Sequence, residues 1–244
     1  MSTGEVLELW RYPVKSMGGE ALRSTRVDDG GVLGDRAHAL MHEHKGQVRP
    51  LTARQAPQLL AWRAEYPFAP DAGLKGDPPP ALIVAPDGKG HRWGDPRLRS
   101  ALSGHLGRDD FTFRREPGGT LQDLPKSMLV TFEATRRELE RELGMPLDLR
   151  RFRTNLHLDM EAPAWSELRW EGATLIFPGG VKLRLLHPCA RCVIPTIDPR
   201  TQEKCPKLLR HLAATHETTF GINARVVSGG RIVVGERVGR LGPY

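Results

Sequence analysis

Residues 4–12 alternate apolar and polar positions, as a half-buried strand does. Pro13 ends that run, and Gly18-Gly19 permit a sharp turn before a second strand at 20–28. Gly30–Arg36 is a glycine-rich loop, 37–42 a third strand, and Gly46 a hairpin turn. Leu51–Gln55 reads as loop, with strands at 58–65, 81–85 and 111–115. The stretch from Pro67 to Pro80, rich in Pro, Gly and Asp, is an exposed connection. Asp95-Pro96 caps a short helix that ends at Gly104 or Gly107. Glu116–Lys126 reads as a linker and a domain boundary, dividing the chain into 1–120 and 121–244. Beyond it the pattern predicts a strand at 128–132 and a helix at 133–143 stopped by Gly144. Strands follow at 149–158, 173–177 and 181–186, then a helix at 205–214. Strands at 222–228 and 231–238 form a hairpin around Gly229-Gly230. Strands dominate, so the fold class is mainly β, barrel-like, with a few helices.

Composition adjusts this picture in three ways. Mean hydropathy is −0.41, and no apolar run approaches the ~18–20 residues of a membrane span, so no membrane association is expected. Three cysteines in 244 residues form no disulfide framework, and no secretory signal opens the chain, so a cytoplasmic location is expected. The formal charge of +7 favours an anionic partner. That charge is scattered and aromatics are 6%, which argues against nucleic acid.

The chemistry concentrates in Leu186–Pro199, where Cys189 and Cys192 lie three apart with Arg191 beside the second. G-x-S-x-G, Walker, H-E-x-x-H and G-x-G-x-x-G motifs are absent. His211 and His216, five apart on a helix, diverge by about 140° and do not read as a metal pair. His42-Glu43-His44 reads as a solvated turn. Three readings of the cysteines stay open on spacing alone. One is a zinc site from His187, Cys189, Cys192 and Cys205. Another is dithiol redox chemistry. The last is a pair of buried structural cysteines.

Cys189-x-Arg191-Cys192 followed by Thr196-x-Asp198-Pro199-x-Thr201 resembles the signature of the MOSC domain. That domain occurs at the C-terminus of molybdenum cofactor sulfurases and in the mitochondrial amidoxime-reducing component and its bacterial relatives. Tyr12–Ser16, Gly34-Asp35-Arg36 and Thr52–Gln55 resemble motifs of the β-barrel domain that precedes it. Arg153-x-Asn155, Phe220–Asn223 and Val234-Gly235-Glu236 resemble later MOSC motifs. The resemblance runs in order from about residue 5 to 240. It departs after the Asp-Pro turn, where the family's Thr-Gly is replaced by Thr201-Gln202 and Cys205 appears.

The resemblance implies an N-terminal β-barrel domain, a MOSC β-barrel domain and a molybdenum cofactor, Mo-molybdopterin. It implies that Cys192 ligates the metal. Lys15, Ser16 and Arg36 would anchor the cofactor's phosphate, Arg153 and Asn155 would lie near the pterin, and Arg54 would also bind the cofactor. Asp198 would orient the cysteine loop or face the open metal position. The implied reaction is two-electron reduction of an N-hydroxylated small molecule, giving amine or amidine and water. The chain has no set of cysteines for its own iron–sulfur cluster, so a separate ferredoxin-, flavin- or cytochrome-type donor is implied. Pyridoxal phosphate is not expected in a chain this short. The alternatives are a sulfurtransferase or sulfur-carrier role at Cys189 or Cys192, and a carrier that delivers the cofactor without turnover.

Overall fold

The computed structural model describes residues 2–67 and 78–242. The expected connection from Pro67 to Pro80 therefore lies largely outside the described residues. In chain order, the first half holds strands β1 (Ser2–Arg11), β2 (Glu20–Leu22), β3 (Ser24–Asp28), β4 (Gly31–Val32), β5 (His38–His44) and β6 (Gln47–Pro50). Strands β7 (Arg63–Glu65), β8 (Leu82–Val84) and β9 (Gly90–Arg92), helix α1 (Pro96–Leu106) and strand β10 (Thr112–Arg115) follow. The second half holds β11 (Met128–Phe132), helix α2 (Glu133–Leu143), β12 (Leu156–Met160), β13 (Thr174–Ile176) and β14 (Lys182–Ala190). Helix α3 (Pro206–Thr215), β15 (Thr219–Ser228), β16 (Gly230–Val233) and β17 (Arg237–Leu241) complete it.

The protein is mainly β and contains a closed seven-stranded barrel. Its order is β12-β11-β15-β14-β13-β17-β1, and β1 closes the ring by pairing with β12. Closure removes the exposed edges that an open sheet would present. Strand β1 can serve three neighbours because it is ten residues long. Ser2–Glu5 pair with β17, Gly4–Leu9 with β12 across a bulge, and Leu9–Arg11 with β2 outside the ring. The inward positions of the strands fill the barrel with Val6, Leu9, Val130, Leu156, Leu158, Leu175, Leu183, Leu185, Ile222 and Val238. A second core, built on Val14, Leu40, Leu59, Trp62, Ile83 and Leu98, sits under α1 and the small sheets β10-β5-β6 and β7-β8-β9. A third packs Leu139, Leu143, Phe152, Leu208, Leu212 and Phe220 between α2, α3 and the barrel wall.

Several elements depart from the pattern-based expectation. Residues 58–65 do not form one strand: Pro57 opens a 3-10 turn to Ala61, and only Arg63–Glu65 is extended. Residues 149–158 also divide, because Asp148 caps a 3-10 turn at Leu149–Phe152 through the Arg150 amide at 2.9 Å. The hairpin around Gly229-Gly230 does not form. Strand β15 pairs with β14 as far as Ser228 and with β11 at Ile222–Ala224, and the returning β16 pairs with β3 instead. His42 and His44 belong to β5, and the turn falls one residue later, at Lys45-Gly46.

Gly221 shows why a motif glycine is required. Its φ is +74°, and a Cβ there would lie 2.7 Å from the Val130 carbonyl oxygen and 2.9 Å from Thr131 Cγ2. Gly221→Ala should therefore lose roughly 2–4 kcal/mol in urea denaturation, from left-handed strain plus overpacking. A loss below about 0.5 kcal/mol would show that β11 and β15 can separate freely. A second prediction concerns acid. Hydrogen bonds from Arg136, and then from His157 and Arg137, hold the Glu133 carboxyl at about 2 against the opposing effect of burial. Because this pKa lies below the unfolded value of 4.5, the stabilisation is present above pH 4.5 and lost as pH falls towards 2. Glu133→Gln should flatten that acid limb by roughly 2–3 kcal/mol, read from urea midpoints at pH 2–6.

Candidate functional site

A cavity of about 110 Å³ opens where the two halves of the chain meet. It is smaller than the ~300–1,000 Å³ of pockets that enclose a drug-sized ligand. It suits one anionic group, with the rest of a larger ligand at its mouth. Lys15, Ser16, Arg36, Arg54, Arg153, Asn155 and Cys192 all line it, although they are dispersed over nearly 180 positions of sequence.

Local backbone geometry brings them together. After β1, the chain turns so that the Lys15 amide donates to the His38 carbonyl at 2.8 Å. Ser16 adopts φ +70°, and its Oγ accepts the Ala53 amide at 3.0 Å, joining this turn to the Thr52–Gln55 turn. Within the latter, Thr52 Oγ1 donates to Gln55 Oε1 at 2.6 Å, which leaves Arg54 at the rim. Arg36 follows left-handed Gly34 and is itself at φ +49°. Its amide is held by the Tyr12 carbonyl at 2.7 Å, and its guanidinium pairs with buried Asp35. Arg153 ends the 3-10 turn at φ +57°, lies over the Tyr12 ring at 4.3 Å, and donates to the Met17 carbonyl at 2.6 Å.

Asn155 lines the cavity and its side-chain amide is engaged within the protein. Its Oδ1 accepts from the Leu129 amide at 3.1 Å and from Arg36 at 3.2 Å, and its Nδ2 donates to the Trp10 carbonyl at 3.2 Å. Its amide thus joins β1, β11 and the Arg36 loop.

Electrostatics define what the cavity wants. Lys15, Arg36, Arg54, Arg153 and Arg191 line it against, among the described residues, a single lining carboxylate, Asp123. Burial, and then the neighbouring Arg36 charge, push Arg153 down to about 10. Burial also lowers Lys15, although Asp123 at 2.7 Å opposes it. Arg153 Nη2 is buried with no hydrogen-bond partner among the described residues. A buried cationic group with an unused donor is stabilised by an anion. Phosphate offers the oxygens such a set requires.

The cysteines are arranged otherwise than the sequence suggests. Arg191 does not serve its neighbour Cys192. Its Nη1 donates to Cys189 Sγ at 3.0 Å and its Nη2 to the Phe152 carbonyl at 2.9 Å. Cys192 takes its cation from the other half of the chain. Burial lowers the Arg54 pKa, but the nearby Cys192 and then Asp123 outweigh this and raise it. Cys189 thus has a guanidinium in direct contact, while Arg54 is the cation near Cys192. Bulges between Leu185 and Ala190 turn the end of β14, and the Arg191 amide is held by the Thr218 carbonyl at 2.7 Å. Cys192 then packs against Ala53, Leu60, Ile194 and Ile197, at the seam between the halves.

The four proposed zinc ligands do not assemble. Cys205 contacts Met145 with Sγ–Sδ at 3.7 Å in the α2–α3 core, away from the core that Cys192 joins. Cys189, Cys192 and Cys205 are all free thiols. Asp198 lies outside the cavity. Its Oδ2 pairs with Arg151 at 2.6 Å, and its Oδ1 accepts the Arg200 and Thr201 amides at 2.8 and 3.0 Å. Burial raises its pKa, but these amides and Arg151 more than offset that and hold it below the usual range. Its observed work is to cap the turn after the cysteine loop. Sequence reasoning missed Gln122, Asp123, Ser127 and Asn223, which also line the cavity. The first two fall in the proline- and glycine-bearing stretch read as a linker. Asn223 had a signal, since it closes the Phe220–Asn223 motif.

A mainly β chain with a thiol-bearing, cation-lined cavity at the seam of two halves defines the class. The family follows from two matches in chain order: the MOSC N-terminal beta barrel domain at residues 3–80 and the MOSC domain at 120–239. The chain belongs to the MOSC-domain family, which is associated with molybdenum-cofactor chemistry. Among solved structures, it is similar to the YUAD protein from Bacillus subtilis, with 14% identity, 98% of each chain covered and a TM-score of 0.49. It is also similar to YiiM from Geobacillus stearothermophilus, with 15% identity, a TM-score of 0.38, and coverage of 52% of this chain and 64% of that one. No match is found among curated proteins.

The charge argument predicts that inorganic phosphate or pyrophosphate raises the melting temperature at low salt. Lys15→Ala and Arg153→Gln should each lose most of that rise. At about 100 times Kd the wild-type gain is about 2.7 kcal/mol. An equal rise in both variants would place the anion elsewhere.

Proposed function

We propose that this protein binds Mo-molybdopterin and reduces N-hydroxylated small molecules with electrons from a separate protein. The observation that carries the reading is the convergence of Cys192 with Lys15, Arg36, Arg54 and Arg153 in one cavity. Lys15, Arg36 and Arg153 would hold the cofactor's phosphate, with the unused Arg153 Nη2 as one donor. Ser16 holds the Ala53 backbone and offers its hydroxyl to the same group. Cys192 Sγ is the soft donor suited to the metal, and Arg54 supplies its counter-charge. When bound, the cofactor supplies two-electron oxygen-atom chemistry. The chain's own contribution is to hold the phosphate, orient the sulfur and keep positive charge beside it. A net charge of +7 suits docking of an acidic ferredoxin-, flavin- or cytochrome-type donor.

A second reading is a sulfur or cofactor carrier without turnover. One observation favours it: Cys189 is a further thiol in the same cavity, with Arg191 at 3.0 Å.

Cys192→Ala should reduce molybdenum and pterin per chain, and amidoxime reduction with a chemical reductant, by at least roughly tenfold. Cys189→Ala should retain most of both. Equal occupancy and turnover in Cys192→Ala and wild type would falsify the ligand assignment. Cofactor binding without turnover, followed by transfer to an apo-enzyme, would establish the carrier.

A further inference from the structure

The two helices of the second half bring together a cluster that the cavity does not use. Glu142 lies in the last turn of α2, and His211 lies on α3. His216 follows the end of α3, where φ −136° and ψ 33° take it off the helical path. The next two residues, Glu217 and Thr218, are left-handed at φ +49° and +59°. This turn cancels the ~140° divergence that a continuous helix would impose. His211 Nε2 and His216 Nε2 lie 2.7 and 2.8 Å from the same oxygen, Glu142 Oε2. The ligand atoms of all three residues fall within 4.8 Å of one another. Trp165 stacks on the His216 imidazole at 3.5 Å and 16°, fixing its plane. The three side chains are 14–22% exposed, so solvent can reach the group.

We propose that Glu142, His211 and His216 form a binding site for a zinc-type divalent ion. Two imidazole nitrogens and one carboxylate oxygen suit zinc, which they would approach to ~2.0–2.2 Å, with water completing the tetrahedron. The nitrogen ligands select against calcium and magnesium. The ion would tie the end of α2 to the turn between α3 and β15. Lys207 already joins the helices there by donating to the Leu143 carbonyl at 2.7 Å. The Thr218 carbonyl, two residues beyond His216, holds the Arg191 amide. The site therefore braces the backbone from which Arg191 reaches Cys189.

The test uses the full chain, stripped of metal by a chelator and titrated with Zn2+ or Co2+. One ion per chain should bind. Bound Co2+ should show weak visible bands without the near-ultraviolet charge-transfer band of a cobalt thiolate. Zn2+ should raise the melting temperature. His211→Gln and His216→Gln, checked for folding by circular dichroism, should lower Zn2+ affinity by at least roughly tenfold and lose that rise. Cys189→Ser/Cys192→Ser should retain binding. The assignment fails if wild type binds no stoichiometric ion, if the cobalt spectrum carries the thiolate band, or if folded histidine variants bind as wild type does. The wild-type cobalt spectrum decides the matter even if a variant does not fold.

Discussion

The pairing of β1 with both β12 and β17 is the interaction on which the rest of the structure depends. It closes the barrel with a strand from the far end of the sequence. The same strand then runs on into Tyr12–Ser16, so barrel closure also fixes where Lys15 and Ser16 emerge. Asn155 reinforces this join, since its amide reaches the Trp10 carbonyl on β1 and the Leu129 amide on β11. The site is therefore no appendage to a finished barrel. Its phosphate-sized end is assembled by the contact that completes the ring.

That assembly opposes stability locally. Arg36 and Arg153 are buried close together, and among the described residues only Asp35 forms an ion pair with either. Burial of like charges without full compensation costs free energy, which the barrel core must offset. Such unbalanced charge is a common mark of a place evolved for a ligand rather than for stability. The sulfurs sit among the same cations, Cys189 in contact with Arg191 and Cys192 near Arg54.

Much of this was legible in the sequence, but unevenly. Strands such as 128–132 announce themselves by composition, and α1 by Asp95-Pro96 and Gly107, because these signals are local. The contributors to the cavity could be gathered only through family motifs, since nothing in spacing links Lys15 to Arg153. Arg191 was misleading: adjacency in sequence paired it with Cys192, while the bulged end of β14 aims it at Cys189. His216 was misread because the ~140° argument assumes that the helix continues. The helix was expected to end at 214, but two left-handed residues without glycine gave no sign of the turn that brings His216 back towards His211. The missing hairpin at Gly229-Gly230 had a non-local cause, since β16 pairs with β3 from the first half of the chain.

Asp123 gives the cavity a further property. Its carboxylate lies 2.7 Å from Lys15 and 3.9 Å from Arg54, while 70% of its side chain faces solvent. It acts as an internal counter-ion, occupying with its own charge part of the space between the cations. An incoming anion must share those cations with it or displace it. Binding strength is then a difference between two anions, one tethered and one free. Small ions present at low concentration compete poorly against a tethered group, whereas a ligand that also reaches Cys192 and Arg153 gains contacts that Asp123 cannot make. The segment once legible only as a connector between halves thereby sets the threshold an anion must pass to enter.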